Sequence, residues 1–345
     1  MMRIVLGIES SCDETAVALV REDKAILAQA LSSQTLEHAP YGGVVPEIAA
    51  RAHLQQIDRL YEQALRDANV TLNEVDAIAV TTGPGLIGGV IVGAMFAKAL
   101  AAAANKPLIA INHLEGHALT VRLVEDVAFP YFLLLVSGGH CQMLIVRGVG
   151  HYELIGQTKD DALGEAFDKT AKMLGLPYPG GPALEKAAKL GTPKYKLPKP
   201  MHGADHADLS FSGLKTAVRL LVQKETDAMP LSDALVNDVA ASFQHTILEV
   251  MRDRVARGLN IAMEQCPGIT ALAVAGGVAA NQALRGALTE VAAAHQLPLV
   301  VAPPALCTDN AAMIAWAGME RLKLGLSDGL ETDPRARWPL AELTA

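Results

Sequence analysis

The chain has 345 residues, 51% of them hydrophobic and 19% charged, with a formal net charge of -8. That excludes a disordered or fibrous chain and predicts a well-buried α/β protein, long enough for two lobes of roughly 150 residues each. The acidic balance is wrong for a dedicated nucleic-acid binder, so any contact with RNA needs a local basic surface or a partner. One segment, 186–224, holds eight basic residues against Asp205 and Asp208. It reads either as such a surface or as a solvated loop and helix face.

The apolar N-terminus is followed at once by Glu9, Asp13 and Glu14, too short and too acidic for a signal peptide. Four cysteines, Cys12, Cys141, Cys266 and Cys307, show no C-x-x-C spacing, which suits a reducing compartment. Residues 86–104 are the one stretch that invites a membrane reading. They contain Lys98 and are mostly Gly and Ala, so a buried helix is expected and the protein is expected to be soluble and cytoplasmic.

In chain order, residues 3–8, 15–20 and 25–31 predict a meander of antiparallel strands broken by the polar turn 9–14. Helical apolar spacing follows over 46–68. A short strand at 75–80, a Gly-rich loop at 81–89, a helix over 90–104, a strand at 108–111 and a helix at 113–123 complete the first half. The opening pattern then recurs: apolar 131–136, a turn at 137–140, apolar 142–146. Helices are expected over 162–174, 213–225, 231–265 and 310–324, with strands at 272–275 and 299–302. A strand-rich start followed by alternating strands and helices, occurring twice, predicts two related α/β lobes with mixed sheets and a cleft between them.

Five elements carry candidate chemistry. Asn112-His113-Leu114-Glu115-Gly116-His117 directly follows a strand. On a helix His113 and His117 share a face, which suits a divalent transition metal, although two ordinary histidines would look the same. Asp309 is the candidate third ligand; it reads equally as a helix N-cap. Glu115 lies about 200° around the helix from His113, which disfavours the general-base geometry of a zinc protease. Val136-Ser137-Gly138-Gly139-His140 offers backbone amides to an anion, or is a plain hairpin. Gly276-Gly277-Val278-Ala279-Ala280-Asn281 permits a nucleotide to press on the backbone, or is strand-helix packing. Thr82-Gly83-Pro84-Gly85-Leu86-Ile87-Gly88-Gly89 lacks the Gly-Lys-Ser/Thr ending of a P-loop and reads as a packing turn. The acidic turn Ser10-Ser11-Cys12-Asp13-Glu14-Thr15 either forms a turn or supplies carboxylates to a cleft.

These pieces in this order resemble the TsaD family over about residues 3–325. Further strings carry the resemblance: Gly42-Gly43-Val44-Val45-Pro46-Glu47, Phe167-Asp168-Lys169, Tyr178-Pro179-Gly180-Gly181-Pro182 and Phe211-Ser212-Gly213-Leu214-Lys215. The resemblance implies the two-lobed actin-like ATPase (ASKHA) fold of Hsp70 and sugar kinases. The expected division is a first lobe over 1–128, to which the helix 310–325 returns, a second over 129–309, and a tail over 326–345. It also implies transfer of threonylcarbamoyl from threonylcarbamoyl-adenylate to N6 of adenosine 37 in tRNAs reading ANN codons. By motif, His113, His117 and Asp309 would hold one divalent ion, Fe2+ or Zn2+. Val136, Ser137, Gly138, Gly139, His140, Asp168, Gly181, Glu185 and Asn281 would bind the adenylate, and Asp13 and Glu14 match acids associated with activity. The implied partners are tRNA, a TsaB paralogue and the TsaE ATPase, with the adenine nucleotide donor supplied by a TsaC/Sua-type synthase.

Overall fold

The computed structural model describes residues 2–41, 43–225 and 230–343; Gly42 of the second motif lies outside the described residues. The first half contains β1 (Ile4–Glu9), β2 (Glu14–Arg21), β3 (Ile26–Ser33), α1 (Thr35–His38), α2 (Pro46–Ala68), β4 (Ala77–Gly83), α3 (Ile87–Ala104), β5 (Leu108–Asn112) and α4 (His113–Val124). There follow β6 (Tyr131–Val136), β7 (Cys141–Gly148), β8 (His151–Gln157), α5 (Leu163–Met173), α6 (Gly180–Ala188) and α7 (Ser212–Glu225). The last elements are α8 (Asp233–Gln265), β9 (Leu272–Ala275), α9 (Gln282–Ala294), β10 (Leu299–Val301) and α10 (Ala311–Lys323). The chain divides into two compact units: Met1–Asp126 with Gly148–Tyr152 and Thr308–Ala345, and Val127–Arg147 with Glu153–Cys307.

The first unit is a five-stranded mixed sheet in the order β3-β2-β1-β4-β5. β2 runs antiparallel to β1 and β3, while β1, β4 and β5 are parallel. Alternation along β1 assigns its faces. Leu6 and Ile8 pack with Ile57, Leu60, Ala97 and Ala101 of α2 and α3. Gly7 faces α10: an added Cβ would collide with the carbonyl of Ala311 and lie 2.5 Å from the amide of Ala315. Glycine is therefore required here by the close approach of helix to strand, not by its backbone angles. Fully buried Leu and Ile side chains of this kind contribute about 1.5–3 kcal/mol each.

The second unit repeats the topology with its own strands, β10-β9-β6-β7-β8. β6 pairs antiparallel with β7 and parallel with β9, and β9 pairs parallel with β10. The 33-residue α8 is capped by Ser232, whose hydroxyl accepts from the amide of Leu235. Gly258 of α8 sits against Phe132 and Met143 of the sheet. The irregular stretch before α7 is pinned by the buried Arg254, whose guanidinium donates to the carbonyls of Ala204 and His206.

α3 departs from the expected buried helix. Its face at Ile87, Ile91 and Met95 is exposed, as is Leu54 on the adjacent α2. Gly and Ala on the remaining faces let α3 approach the sheet and α2 closely: Gly89 and Gly93 lie against Ser10, and Gly88 against Ala50. The loop before α3 is a packing turn. Gly83 has a φ of 141° and meets the carbonyl of Arg335, and Gly85 meets Ser11.

Candidate metal centre and nucleotide-binding loops

The metal candidates all belong to the first unit. β5 ends at Asn112, whose side-chain oxygen accepts from the amide of Leu114 and caps α4, so the helix starts at His113. One turn later His117 lies on the same face, and the two rings meet edge to face at 4.8 Å. On the other side stands the start of α10. Its N-cap is Asn310, whose side chain accepts from the amide of Met313 at 3.0 Å. Asp309 is thereby released from capping, which decides between the two readings of that carboxylate. Its Oδ1 lies 3.1 Å from Nε2 of His117 and 3.4 Å from Nε2 of His113.

This donor set fits a divalent ion. His113, His117 and Asp309 each offer a ligand atom, and these atoms lie within 4.8 Å of one another. Both Nε2 atoms converge on one carboxylate oxygen, whereas Nδ1 of His117 is buried without a hydrogen-bond partner. Two imidazoles and one carboxylate form a three-ligand set with coordination positions left for water or substrate. Burial works against charge on His113, yet the carboxylates of Asp309 and Glu9 hold its pKa well above the usual histidine range. Burial likewise opposes ionisation of Asp309, but the two imidazoles hold it well below the usual carboxylate range.

Glu9, part of the opening Gly7–Thr15 motif but given no role from sequence, stands directly beside these residues. It ends β1 fully buried, and Oε2 lies 3.1 Å from Nδ1 of His113. The hydroxyl of Thr81 and the amide of Ser11 both donate to it. A carboxylate on the outer nitrogen of a ligating histidine fixes the tautomer and the ring plane. Its one sequence signal is an acid closing an apolar strand. Glu115 points elsewhere, as its helical position requires. It accepts from Arg321 at 2.7 Å, from the Tyr152 hydroxyl at 3.0 Å and from the Gly150 amide at 3.1 Å.

The acidic turn lies beside Glu9. His53, from α2, is 3.1 Å from the carbonyl of Cys12 and 2.8 Å from the Thr15 hydroxyl, and so braces the turn. Asp13 is half-buried, and its carbonyl accepts from the amide of Gln34. Burial, with Asp309 and Asp13 adding to it, pushes Glu14 up to about 9.

The nucleotide candidates all belong to the second unit, where contacts link them in series. Val136 ends β6, and its carbonyl lies against Gly276, whose φ of 92° and lack of Cβ permit the approach. The next residue, Ser137, donates its amide to His140, and its hydroxyl accepts from the His140 amide. Its carbonyl accepts from Gly164 at the start of α5. From α5, Asp168 accepts from the amide of Gly180 at 2.9 Å and so fixes the start of α6. Burial raises the pKa of Asp168. From α6, Glu185 accepts from the amide of Gln282 at 3.1 Å, and Asn281 caps α9 through Leu284. Gly138, Gly139 and Gly181 differ from Gly276: none has a positive φ, and a Cβ on any of them would meet nothing within 4 Å. Neither packing nor backbone strain requires glycine at those three positions.

The fold and these two groups of residues define an actin-like α/β protein with a histidine-carboxylate metal candidate. Solved structures agree on the fold: full-length HypF in its phosphate- and nucleotide-bound form superposes with a TM-score of 0.57 at 13% identity, covering 96% of this chain and 47% of that one. Component A of the Acidaminococcus fermentans (R)-2-hydroxyglutaryl-CoA dehydratase gives 0.53 at 15% identity, covering 93% and 99%. Residues 25–316 match the TsaD family, described as tRNA N6-adenosine threonylcarbamoyltransferase. Proteins of that name from Brucella anthropi and Brucella canis are each 58% identical over 99% of this chain and 96% of their own length. The chain belongs to the TsaD family.

Proposed function

We propose that this protein transfers the threonylcarbamoyl group of threonylcarbamoyl-adenylate to N6 of adenosine 37 in tRNAs reading ANN codons, releasing AMP and forming t6A. The observation that carries this reading, beside family membership, is the convergence of His113, His117 and Asp309. In the reaction a C–N bond forms between N6 and the carbamoyl carbon, and the bond from that carbon to the phosphate oxygen breaks. AMP leaves with the electron pair, and N6 loses a proton.

Val136, Ser137, Gly138, Gly139, His140, Asp168, Gly181, Glu185 and Asn281 are assigned to the adenylate. Glycines that packing does not demand at 138, 139 and 181 support this, since they let a ligand reach the backbone amides. Asp168 and Asn281 hold the flanking helix starts in place. His113, His117 and Asp309 are assigned to one divalent ion, Fe2+ or Zn2+, with Glu9 orienting His113. Such an ion, when bound, orients the donor and polarises its carbonyl. Asp13, half-buried in the acidic turn after β1, is assigned the removal of the N6 proton. Positioning supplies much of the rest of the rate.

The protein acts in the cytoplasm with a TsaB paralogue and the TsaE ATPase, its donor coming from a TsaC/Sua-type synthase. The exposed Ile87, Ile91 and Met95, spaced along one face of α3, supply a surface for the paralogue. The test is incubation of the purified protein and partners with synthetic threonylcarbamoyl-adenylate and unmodified tRNA, read by nucleoside mass spectrometry. Formation of t6A is expected, and its loss on chelation or in His117→Ala, with adenylate binding kept. Undiminished product from metal-free protein would overturn the role given to the ion.

A further inference from the structure

The segment after α10 is stitched along the first unit. The amide of Asp328 donates to Leu108, and its carboxylate accepts from the amide of Ala110, both at 2.8 Å. Further on, the amide of Arg335 donates to Thr82 at 2.7 Å and the carbonyl of Ala336 accepts from Gly85. The carbonyl of Trp338 accepts from the side chain of Asn112 at 2.9 Å. Leu340 is buried beyond it. The backbone of 335–338 is thus committed to the end of β4, to the loop after it and to the residue that caps α4.

The side chains are left outward. Arg335 and Arg337 are exposed and Trp338 is half-buried, with the Arg335 guanidinium 5.1 Å from the indole centre. Neither arginine has a carboxylate ion pair among the described residues; of the other arginines of this unit Arg59 also has none, whereas Arg3, Arg21, Arg51, Arg66, Arg122 and Arg321 are all paired. Of the two acids that most closely precede Arg335 on this segment, Asp333 is exposed and Glu331 folds back over Gly329. Asn112 immediately precedes His113, so this cationic, aromatic stretch is tied one residue from the metal candidate.

We propose that residues 335–338 form an RNA-contacting rim: Arg335 and Arg337 bind backbone phosphates of the anticodon loop, and Trp338 stacks on an unpaired base. The proposal rests on the reading that the protein acts on tRNA. Guanidinium groups match phosphate oxygens in a bidentate fork, and unpaired bases stack on aromatic rings. In a chain of net charge -8, RNA affinity must come from such local sites.

The experiment compares the full-length wild type with R335Q/R337Q, W338L and a charge-matched control on the outer face of α2, R59Q/R66Q. Binding of unmodified tRNA is measured by fluorescence anisotropy over a salt series, and transfer is measured with partners and synthetic donor. R335Q/R337Q should weaken tRNA binding about tenfold and lower the slope of log affinity against log salt by roughly 1.5–2. W338L should weaken it about tenfold with the slope unchanged. Metal content and adenylate affinity should stay at wild-type values in every variant, and the control should bind tRNA as the wild type does. A double variant that matches the control in affinity, slope and KM for tRNA overturns the rim, as does tRNA loss that comes with metal loss. Absence of t6A from the wild type itself overturns the functional reading and the rim with it. A wild type that forms t6A beside an unaffected double variant removes the rim alone.

Discussion

Glu9 Oε2 lies 3.1 Å from Nδ1 of His113, while Nε2 of the same ring faces Asp309 at 3.4 Å. The ring is gripped at one nitrogen and offered at the other. Glu9→Gln should therefore lower divalent-metal affinity about 10- to 100-fold without unfolding the sheet. Competition titration against a chelator of known affinity, with circular dichroism as a control, measures this. Unchanged affinity would remove Glu9 from the site.

Asp13→Asn should reduce transfer at least about 100-fold, the usual worth of a positioned proton acceptor. Adenylate affinity should be nearly unaffected, because Asp13 is not among the residues assigned to the adenylate. Single-turnover kinetics and calorimetry separate the two effects. Wild-type turnover in this variant ends the assignment.

In the second unit, the carboxylate of Asp160 accepts from the amides of Phe211 and Ser212 and the hydroxyls of Ser210 and Ser212, gathering the start of α7. Burial opposes ionisation, but these donors hold its pKa below the usual aspartate value. A carboxyl whose folded pKa is depressed stabilises above its unfolded pKa, and that stability is lost as pH falls through the folded one. Asp160→Asn should cost about 1 kcal/mol near neutrality. The difference from wild type should shrink below about pH 4. Urea unfolding at a series of pH values reads it, and a pH-independent difference contradicts the account.

Gly7→Ala places a methyl group where the carbonyl of Ala311 and the amide of Ala315 already stand. Overpacking of this kind costs about 1–3 kcal/mol, and here the obstacle is backbone. Because α10 starts two residues after Asp309, the displaced helix should also weaken metal binding. Thermal melting and metal titration on the same preparation test both parts. A variant with native stability would show that α10 yields without cost.

The parts of this protein with local periodicity were legible from sequence. The doubled strand-turn-strand opening and the shared face of His113 and His117 both follow from repeat distances of two and about four residues. Asp309 was ambiguous because Asp309 and Asn310 are both good caps, and only the observed hydrogen bond to Met313 assigns that work to Asn310. Glu9 was missed because its partner lies 104 residues away, and strand patterning registers only an acid at the end of an apolar run. α3 misled because a Gly/Ala helix is apolar all round, so its exposed stripe has no contrast in sequence. The stitching of 328–340 had no signal, since its bonds reach Leu108, Thr82, Gly85 and Asn112 across more than 200 positions.

Glu115 sits midway between the two imidazoles on one turn of α4, facing the opposite way. Arg321 of α10 and the 148–152 turn both hold it. A helix fastened on its back at the same height as its ligands cannot roll about its long axis. The aim of both rings is thus set from behind, and a substitution at Tyr152 would register as a rotation of α4.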